Sequence, residues 1–147
     1  PAEPQARGPR SGQRGIMLDA LPSHGLIAHR KALEAAGAAL ALVKRVPTPL
    51  KSLADQVVRS ASSVPANLAE GHGRVGRDRL HFWRIAYGSA KEVDSHLRLL
   101  VHAGAVDAAS ASPALELFDE VRAMTWRLLN PKALTIDTSS ASPTGRR

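Results

Sequence analysis

The chain has 147 residues, the length of one domain, and 44% of them are hydrophobic, so a sizeable core can form without covalent crosslinks. It contains no cysteine, which excludes disulfides, thiolate zinc sites, iron–sulfur clusters and cysteine nucleophiles. A formal net charge of +7 favours polyanionic partners and also fits simple solubility.

The two ends of the chain differ in composition from its middle. Residues 1–21 are rich in Pro, Gly and Arg, and residues 131–147 begin at a helix-stopping proline, so both are predicted to be disordered tails. One domain is therefore expected at residues 22–130. No uncharged apolar run reaches membrane-spanning length and no secretion leader opens the chain, so no membrane contact is expected and the expected location is the cytoplasm.

The first predicted helix follows Pro22 and extends to about Val46, just before Pro47. Ser23 is placed to cap its N-terminus. Its expected apolar face repeats every seven residues, at Leu26, Leu33 and Leu40, and continues to Val43.

The second predicted helix opens at Thr48, as an N-cap, with Pro49 at its first helical position. Its apolar residues recur at three- and four-residue steps, which is a helical pattern. They are Leu50, Leu53, Val57, Ala61, Val64 and Leu68. A kink is expected at Pro65, and Gly71 and Gly73 are expected to end the helix through their freedom to adopt positive φ.

The third predicted helix runs from about Asp78 to Ala103 and stops at Gly104. Gly88, in its middle, is predicted to mark a close backbone approach, since glycine disfavours helix interiors. The apolar arc of this helix is wider than a bundle core needs, so its outer part is predicted to be a subunit interface. That interface consists of Leu80, Trp83 and Tyr87.

The fourth predicted helix opens at Ser112 and Pro113 and ends before Pro131. Its apolar positions are Leu117, Val121, Met124 and Leu128. No segment alternates with period two, which argues against a sheet. Four amphipathic helices with short connections predict an all-α, up-and-down antiparallel four-helix bundle.

The segment SSVPANLAEGHGRVGRDRLHFWRIAYGSAKE, residues 62–92, resembles the four-helix-bundle family of 23S rRNA intervening-sequence proteins. Members of that family have a segment like VSIPANIAEGxGR, a short polar loop, and a helix like FxRFLxIAxGSxxE. The residues that match the first part are Val64, Pro65, Ala66, Asn67, Ala69, Glu70, Gly71, Gly73 and Arg74. Those that match the second part are Phe82, Ile85, Ala86, Gly88, Ser89 and Glu92.

The resemblance implies a small bundle that assembles as a ring, typically a homopentamer, without established enzymatic activity. Relatives include accessory proteins of diversity-generating retroelements, which bind nucleic acid and a reverse transcriptase. RNA or DNA, a reverse transcriptase or another protein, and further copies of the chain are therefore the expected partners. One departure is the first helix, which has Ala and Gly where family members usually place aromatic residues.

The motif residues have a structural and a functional interpretation. Ser89 and Glu92 lie at the edge of the third helix's apolar face, where they can bond to the Asn67 amide or the Arg74 guanidinium and set the register between two helices. Alternatively, Asn67, Glu70 and Glu92 contact a ligand or nucleic acid.

Four arginines surround the predicted turn between the second and third helices, with His72 and His81 beside them. They are Arg74, Arg77, Arg79 and Arg84. Guanidinium groups near a helix N-terminus suit phosphate, so this loop is the predicted nucleic-acid-binding site; a solvated loop explains the same composition. Few aromatic residues and no known DNA-binding motif accompany the arginines, so base reading is not expected.

Two alternatives to nucleic-acid binding are open: a purely structural or protein-interaction scaffold, and a helical-bundle ribonuclease that uses Arg74 and His81. Arg74 and His81 have six residues between them, which matches the Arg–x4–6–His signature of one helical-bundle ribonuclease family. Glu92 and His96 lie one turn apart, as metal ligands can, but no third ligand follows at helical spacing. No catalysis, metal or other cofactor is therefore expected.

Overall fold

The protein is described here as a computed structural model, which covers residues 24–131, with side chains from residue 27 onward. A short 3₁₀ turn, Thr48–Leu50, precedes the second of its four α-helices. The helices are α1 His24–Val43, α2 Lys51–His72, α3 Gly76–His102 and α4 Ala108–Leu129. The tail predictions for residues 1–21 and beyond residue 131, and the proposed cap Ser23, lie outside the described residues.

The helices form one up-and-down antiparallel bundle, as predicted. Each packs against its neighbours in the chain, and α1 also packs against α4, so the four surround a single core. Short connections make consecutive helices antiparallel. Residues 24–131 contain no strand, and none of the helices within that range is long and apolar enough to cross a bilayer.

The core face of α1 consists of small residues rather than leucines. Its buried positions are Ala28, Ala32, Ala35, Ala36, Ala39 and Val43. Leu33 is 53% exposed and Leu40 is only half-buried, so the predicted leucine face is wrong at these two positions. Val43 is buried as predicted, and the side chain of Leu26 lies outside the described residues. Alanine on this face is compatible with a short distance between helix axes, whereas leucine would hold the neighbouring helices further away. Helix α1 also ends at Val43, three residues before its predicted end.

Helix α2 has the predicted apolar seam, with Val57, Ala61, Val64 and Leu68 all inaccessible to solvent. It differs from the prediction at its start, because the Thr48 side chain makes no capping bond and the 3₁₀ turn leads into the helix. The helix continues through the buried Pro65 to His72 as one element.

The end of α3 and the start of α4 are defined by two local signals. Gly104 has φ +68°, and its N–H bonds to the Val101 oxygen while the Ala105 N–H bonds to the Leu100 oxygen, so the predicted glycine stop is confirmed. The prediction for α4 is wrong by four residues, since the Asp107 carboxylate accepts from the Ser110 N–H and starts the helix there.

Candidate nucleic-acid interface

The last residues of α2, the turn and the first two turns of α3 together make up residues 70–84, called the α2–α3 corner below. Its centre is a contact between Gly71 and the buried indole of Trp83. A β-carbon on Gly71 would lie 2.5 Å from Cδ1 of Trp83 and 3.1 Å from the Arg79 backbone oxygen. Gly71 is thus required by packing; it lies within the helix, and Gly73 has φ −76°, so the positive-φ explanation of both glycines is wrong. The corner glycine with positive φ is Gly76, at +57°.

The Arg74 side chain, in the turn after α2, is bound to the last turn of that helix. Its Nε donates to Oε1 of Glu70 at 2.8 Å, and its Nη2 also contacts that oxygen. The guanidinium carbon lies 5.6 Å from the centre of the Phe82 ring. The hydrogen bond to Glu70, more than any other cause, raises the pKa of Arg74 above its ordinary value. Arg74 therefore joins α2 to α3 and has one carboxylate partner already.

Arg79 also stabilises the corner. Its Nε donates to the Arg74 backbone oxygen at 2.7 Å, and its guanidinium lies 5.6 Å from the centre of the Trp83 ring. A backbone carbonyl of the turn is thereby satisfied, and the outer side of the indole is covered by a cation.

Arg77 and Arg84 differ from the other two arginines of the corner. Both are exposed, and neither has an ion-pair partner within residues 27–131. Arg77 lies in the first turn of α3, where no side chain caps the backbone N–H groups; the residue before the helix is Val75 in an extended conformation. These two guanidiniums, beside an uncapped helix start, are the groups of the corner best placed for phosphate.

The predicted polar seam between α2 and α3 exists, with an additional member. Ser89 Oγ donates to Ser63 Oγ at 2.9 Å, and the Asn67 amide donates to the same Ser63 Oγ at 2.9 Å. The Asn67 amide also donates to the Ser63 backbone oxygen at 2.8 Å. Asn67 and Ser89 thus share Ser63 instead of bonding directly. Glu92 is exposed and takes no part in the seam.

The predicted interface residues are distributed differently from expectation. Trp83, expected to be exposed, has only 8% of its surface accessible and belongs to the core of its own subunit. Leu80 and Tyr87 are half-buried. Gly88 has nothing within 4 Å of a β-carbon built on it, so the expected close approach does not occur inside the subunit.

The ribonuclease and metal-site alternatives depend on where the structure places His81, Arg74 and the acidic side chains. His81 is exposed and lies edge-on to Phe82, while Arg74, its partner in the ribonuclease signature, is engaged by Glu70. Between residues 27 and 131, no three His, Asp or Glu side chains cluster as metal ligands.

Sequence reasoning missed a basic stripe along α3. Arg77, Arg84, Lys91 and Arg98 recur every seven residues and are all exposed. Seven residues are nearly two helical turns, so these side chains share one face of the helix. The seven-residue spacing of these cations is visible in the sequence.

The fold and the corner define a class: small all-α bundles with an arginine-rich patch where α2 meets α3. The family model for the 23S rRNA-intervening sequence protein matches residues 24–127, and the chain belongs to that family. A protein of unknown function from the S23 ribosomal protein family of Bacteroides thetaiotaomicron has a similar fold, with a TM-score of 0.66 and 22% identity over 73% of this chain and 98% of that chain. No curated protein matches the chain.

Proposed function

We propose that the protein is a cytoplasmic, non-catalytic nucleic-acid-binding protein that contacts phosphates through Arg77 and Arg84 and assembles with copies of itself into a ring. The observation that supports binding most directly is that the four arginines of the α2–α3 corner have two different roles. Arg74 and Arg79 hold the corner in shape, while Arg77 and Arg84 extend into solvent without a carboxylate partner in the described part of the chain. Contacts to phosphate carry no sequence information, so binding is expected to be sequence-independent.

The binding test is a charge reversal with a matched control. Fluorescence anisotropy with labelled RNA and DNA, at about 150 mM salt, measures the affinity of the Arg77→Glu/Arg84→Glu double variant. The control is Lys44→Glu/Arg45→Glu, which changes the net charge equally at exposed positions after α1, at the opposite end of the bundle. Both variants keep residues 1–21, so a contribution from the basic N-terminal segment is common to them.

The proposal expects the corner variant to lose binding and the control to keep most of it. Arg79 is left unchanged because it holds the turn, so helix content by circular dichroism should stay the same. Equal losses in both variants would show that only the net charge matters. Absence of binding by the unaltered protein at this salt would favour the structural scaffold instead.

Assembly into a ring is supported by exposed apolar residues on α3. Ile85 is 37% and Leu99 is 52% exposed, and they lie fourteen residues apart, on one face of the helix. Gly88 lies near this face with open space around it, so a second copy of the chain explains a glycine that packing within the subunit does not. The number five comes from the resemblance to the family alone.

Light scattering tests the assembly. The unaltered chain is expected to have the mass of a pentamer, and Leu99→Glu should shift it toward the monomer. Leu33→Glu is the control, since Leu33 is equally exposed but lies on α1. A monomeric mass for the unaltered chain at micromolar concentration would contradict assembly, and dissociation by Leu33→Glu alone would place the interface on α1. A reverse transcriptase or other protein partner remains a prediction from the resemblance.

A further inference from the structure

A groove of about 500 Å³ lies between α3 and α4. Tyr87 and Lys91 line it from α3, and Trp126 and Arg127 line it from α4. Its size is within the range of small-ligand sites. Trp126 is 46% exposed, so nearly half of this large aromatic residue is accessible from solvent in the groove.

One arginine of the groove is already neutralised. The Arg122 guanidinium lies 2.6 Å from an Asp119 oxygen and 3.5 Å from an Asp94 oxygen, so it bridges α4 and α3. Among the residues that the structure describes, Asp119 is the one carboxylate that lines the groove, and it is paired with Arg122. The negative charge of the groove is therefore compensated.

The remaining cations have no such partner. Neither Lys91 nor Arg127 forms an ion pair with any residue whose side chain is described. Lys91 Nζ lies 5.9 Å from the centre of the Tyr87 ring, as in a cation–π contact. Two cations without an ion-pair partner among the described side chains thus lie in one groove with two aromatic residues. This arrangement suits a ligand in which a planar ring is joined to a phosphate group.

The groove is continuous with the proposed binding surface. Arg84 lies one turn before Tyr87 on α3, and Arg77, Arg84 and Lys91 are spaced by seven residues, about 10.5 Å of helix rise each. At 100° per residue, the residues of the proposed assembly face, Ile85, Gly88 and Leu99, lie about 100–160° around the helix from Tyr87. Tyr87 therefore lies outside that face.

We propose that the groove binds one unstacked base of a single-stranded nucleic acid, with the base stacked on Trp126 and its neighbouring phosphates on Lys91 and Arg127. This inference rests on the proposed function and adds the class of nucleic acid. Duplex bases are stacked on one another, whereas single strands present free base faces to aromatic side chains. The stripe of Arg77 and Arg84 then guides the same strand toward the corner.

The experiment compares single-stranded and duplex probes on the full chain. Labelled oligouridine and oligothymidine of about 12 nucleotides, and RNA and DNA duplexes of the same length, are titrated by anisotropy at about 150 mM salt. Trp126→Ala should weaken binding of the single strands by about fivefold or more, and duplex binding by less than about twofold. Trp126→Phe should retain most of the affinity, since it keeps an aromatic face. Leu33→Ala, a truncation at a similarly exposed residue, should change neither.

The outcomes separate this inference from the proposed function. If Trp126→Ala leaves single-strand binding intact while Arg77→Glu/Arg84→Glu abolishes it, the groove inference is wrong and the proposed function stands. Equal losses for single strands and duplexes would also overturn it. If the unaltered protein binds no probe, both fail. Because Trp126 is exposed, its variants should keep their helix content, and circular dichroism verifies this.

Discussion

The Trp83 indole lies against Gly71 with no room for a side chain between them, because a β-carbon on Gly71 would be 2.5 Å from one ring atom and 2.7 Å from the ring nitrogen. The two residues belong to consecutive helices, so their contact determines how α3 leaves α2. Arg79 covers the other part of the indole and bonds to the turn backbone. The α2–α3 corner thus obtains its shape from a glycine–tryptophan contact.

Gly71→Ala should therefore destabilise the protein, since the new methyl group overlaps a buried ring. Overpacking of this kind costs typically about 1–3 kcal/mol. Urea unfolding followed by circular dichroism measures the change. The control is Gly37→Ala, in the middle of α1, where nothing lies within 4 Å of the added carbon; it should stabilise by about 0.5–1 kcal/mol. Similar effects of the two substitutions would contradict the packing role of Gly71.

The alanine face of α1 leads to a second prediction. Ala32 is fully buried, so Ala32→Leu forces a larger side chain between helices and should lower the free energy of unfolding by about 1–3 kcal/mol. Leu33→Ala, at the adjacent exposed position, should change it by less than about 0.5 kcal/mol. Chemical denaturation of both variants measures these free energies and shows whether the alanine face or the leucine face of α1 packs in the core. A larger loss of unfolding free energy for Leu33→Ala than for Ala32→Leu would mean that the leucine face packs in the core after all.

The shared hydroxyl of Ser63 leads to a third prediction. Ser89→Ala should destabilise by about 0.5–1.5 kcal/mol, because it removes one hydrogen bond at a buried position. Ser63→Ala should destabilise more, because it also removes the acceptor of the Asn67 amide. The double variant should lose less than the sum, since both single changes break the same bond. A double-mutant cycle measures this coupling. Strict additivity would mean that the Ser63–Ser89 bond contributes nothing between α2 and α3.

Gly88 leads to a fourth prediction, which separates its effect on one subunit from its effect on assembly. Within a subunit, Gly88→Ala should be stabilising by about 0.5–1 kcal/mol, since the site is open and alanine favours helix. If a second copy approaches there, the same change should weaken association. Light scattering over a dilution series and thermal unfolding together test it. A more stable subunit with unchanged association would remove Gly88 from the interface.

The sequence predicted the helices well because proline, glycine and three- to four-residue apolar spacing act locally. Gly104 ends α3 as predicted, whereas the start of α4 predicted from Ser112 and Pro113 is four residues too late. Pro113 is the sixth residue of α4 and lacks the N–H that would bond to the Ala109 oxygen, yet the helix continues through it, as α2 does through Pro65. The nearby Asp107 cap was the stronger local signal.

The candidate site was harder to predict because its properties depend on contacts between helices. The sequence identified four arginines but could not separate the two that hold the corner from the two without an ion-pair partner among the described side chains, since that depends on Glu70 and Trp83. The exposure of Trp83 was predicted wrongly, because a helical wheel does not include the space left by Gly71. Tyr87 and Trp126 lie 39 positions apart, so only folding places them on one groove.

The most direct test of nucleic-acid binding through Arg77 and Arg84 is the salt dependence of affinity. The logarithm of the binding constant should fall linearly with the logarithm of salt concentration, by about 0.7 per phosphate contact on a single strand. Replacing both arginines by glutamine should lower the slope by about 1.4. The Lys44→Gln/Arg45→Gln control should keep the slope of the unaltered protein. An unchanged slope in the corner variant would contradict phosphate contact by these two arginines.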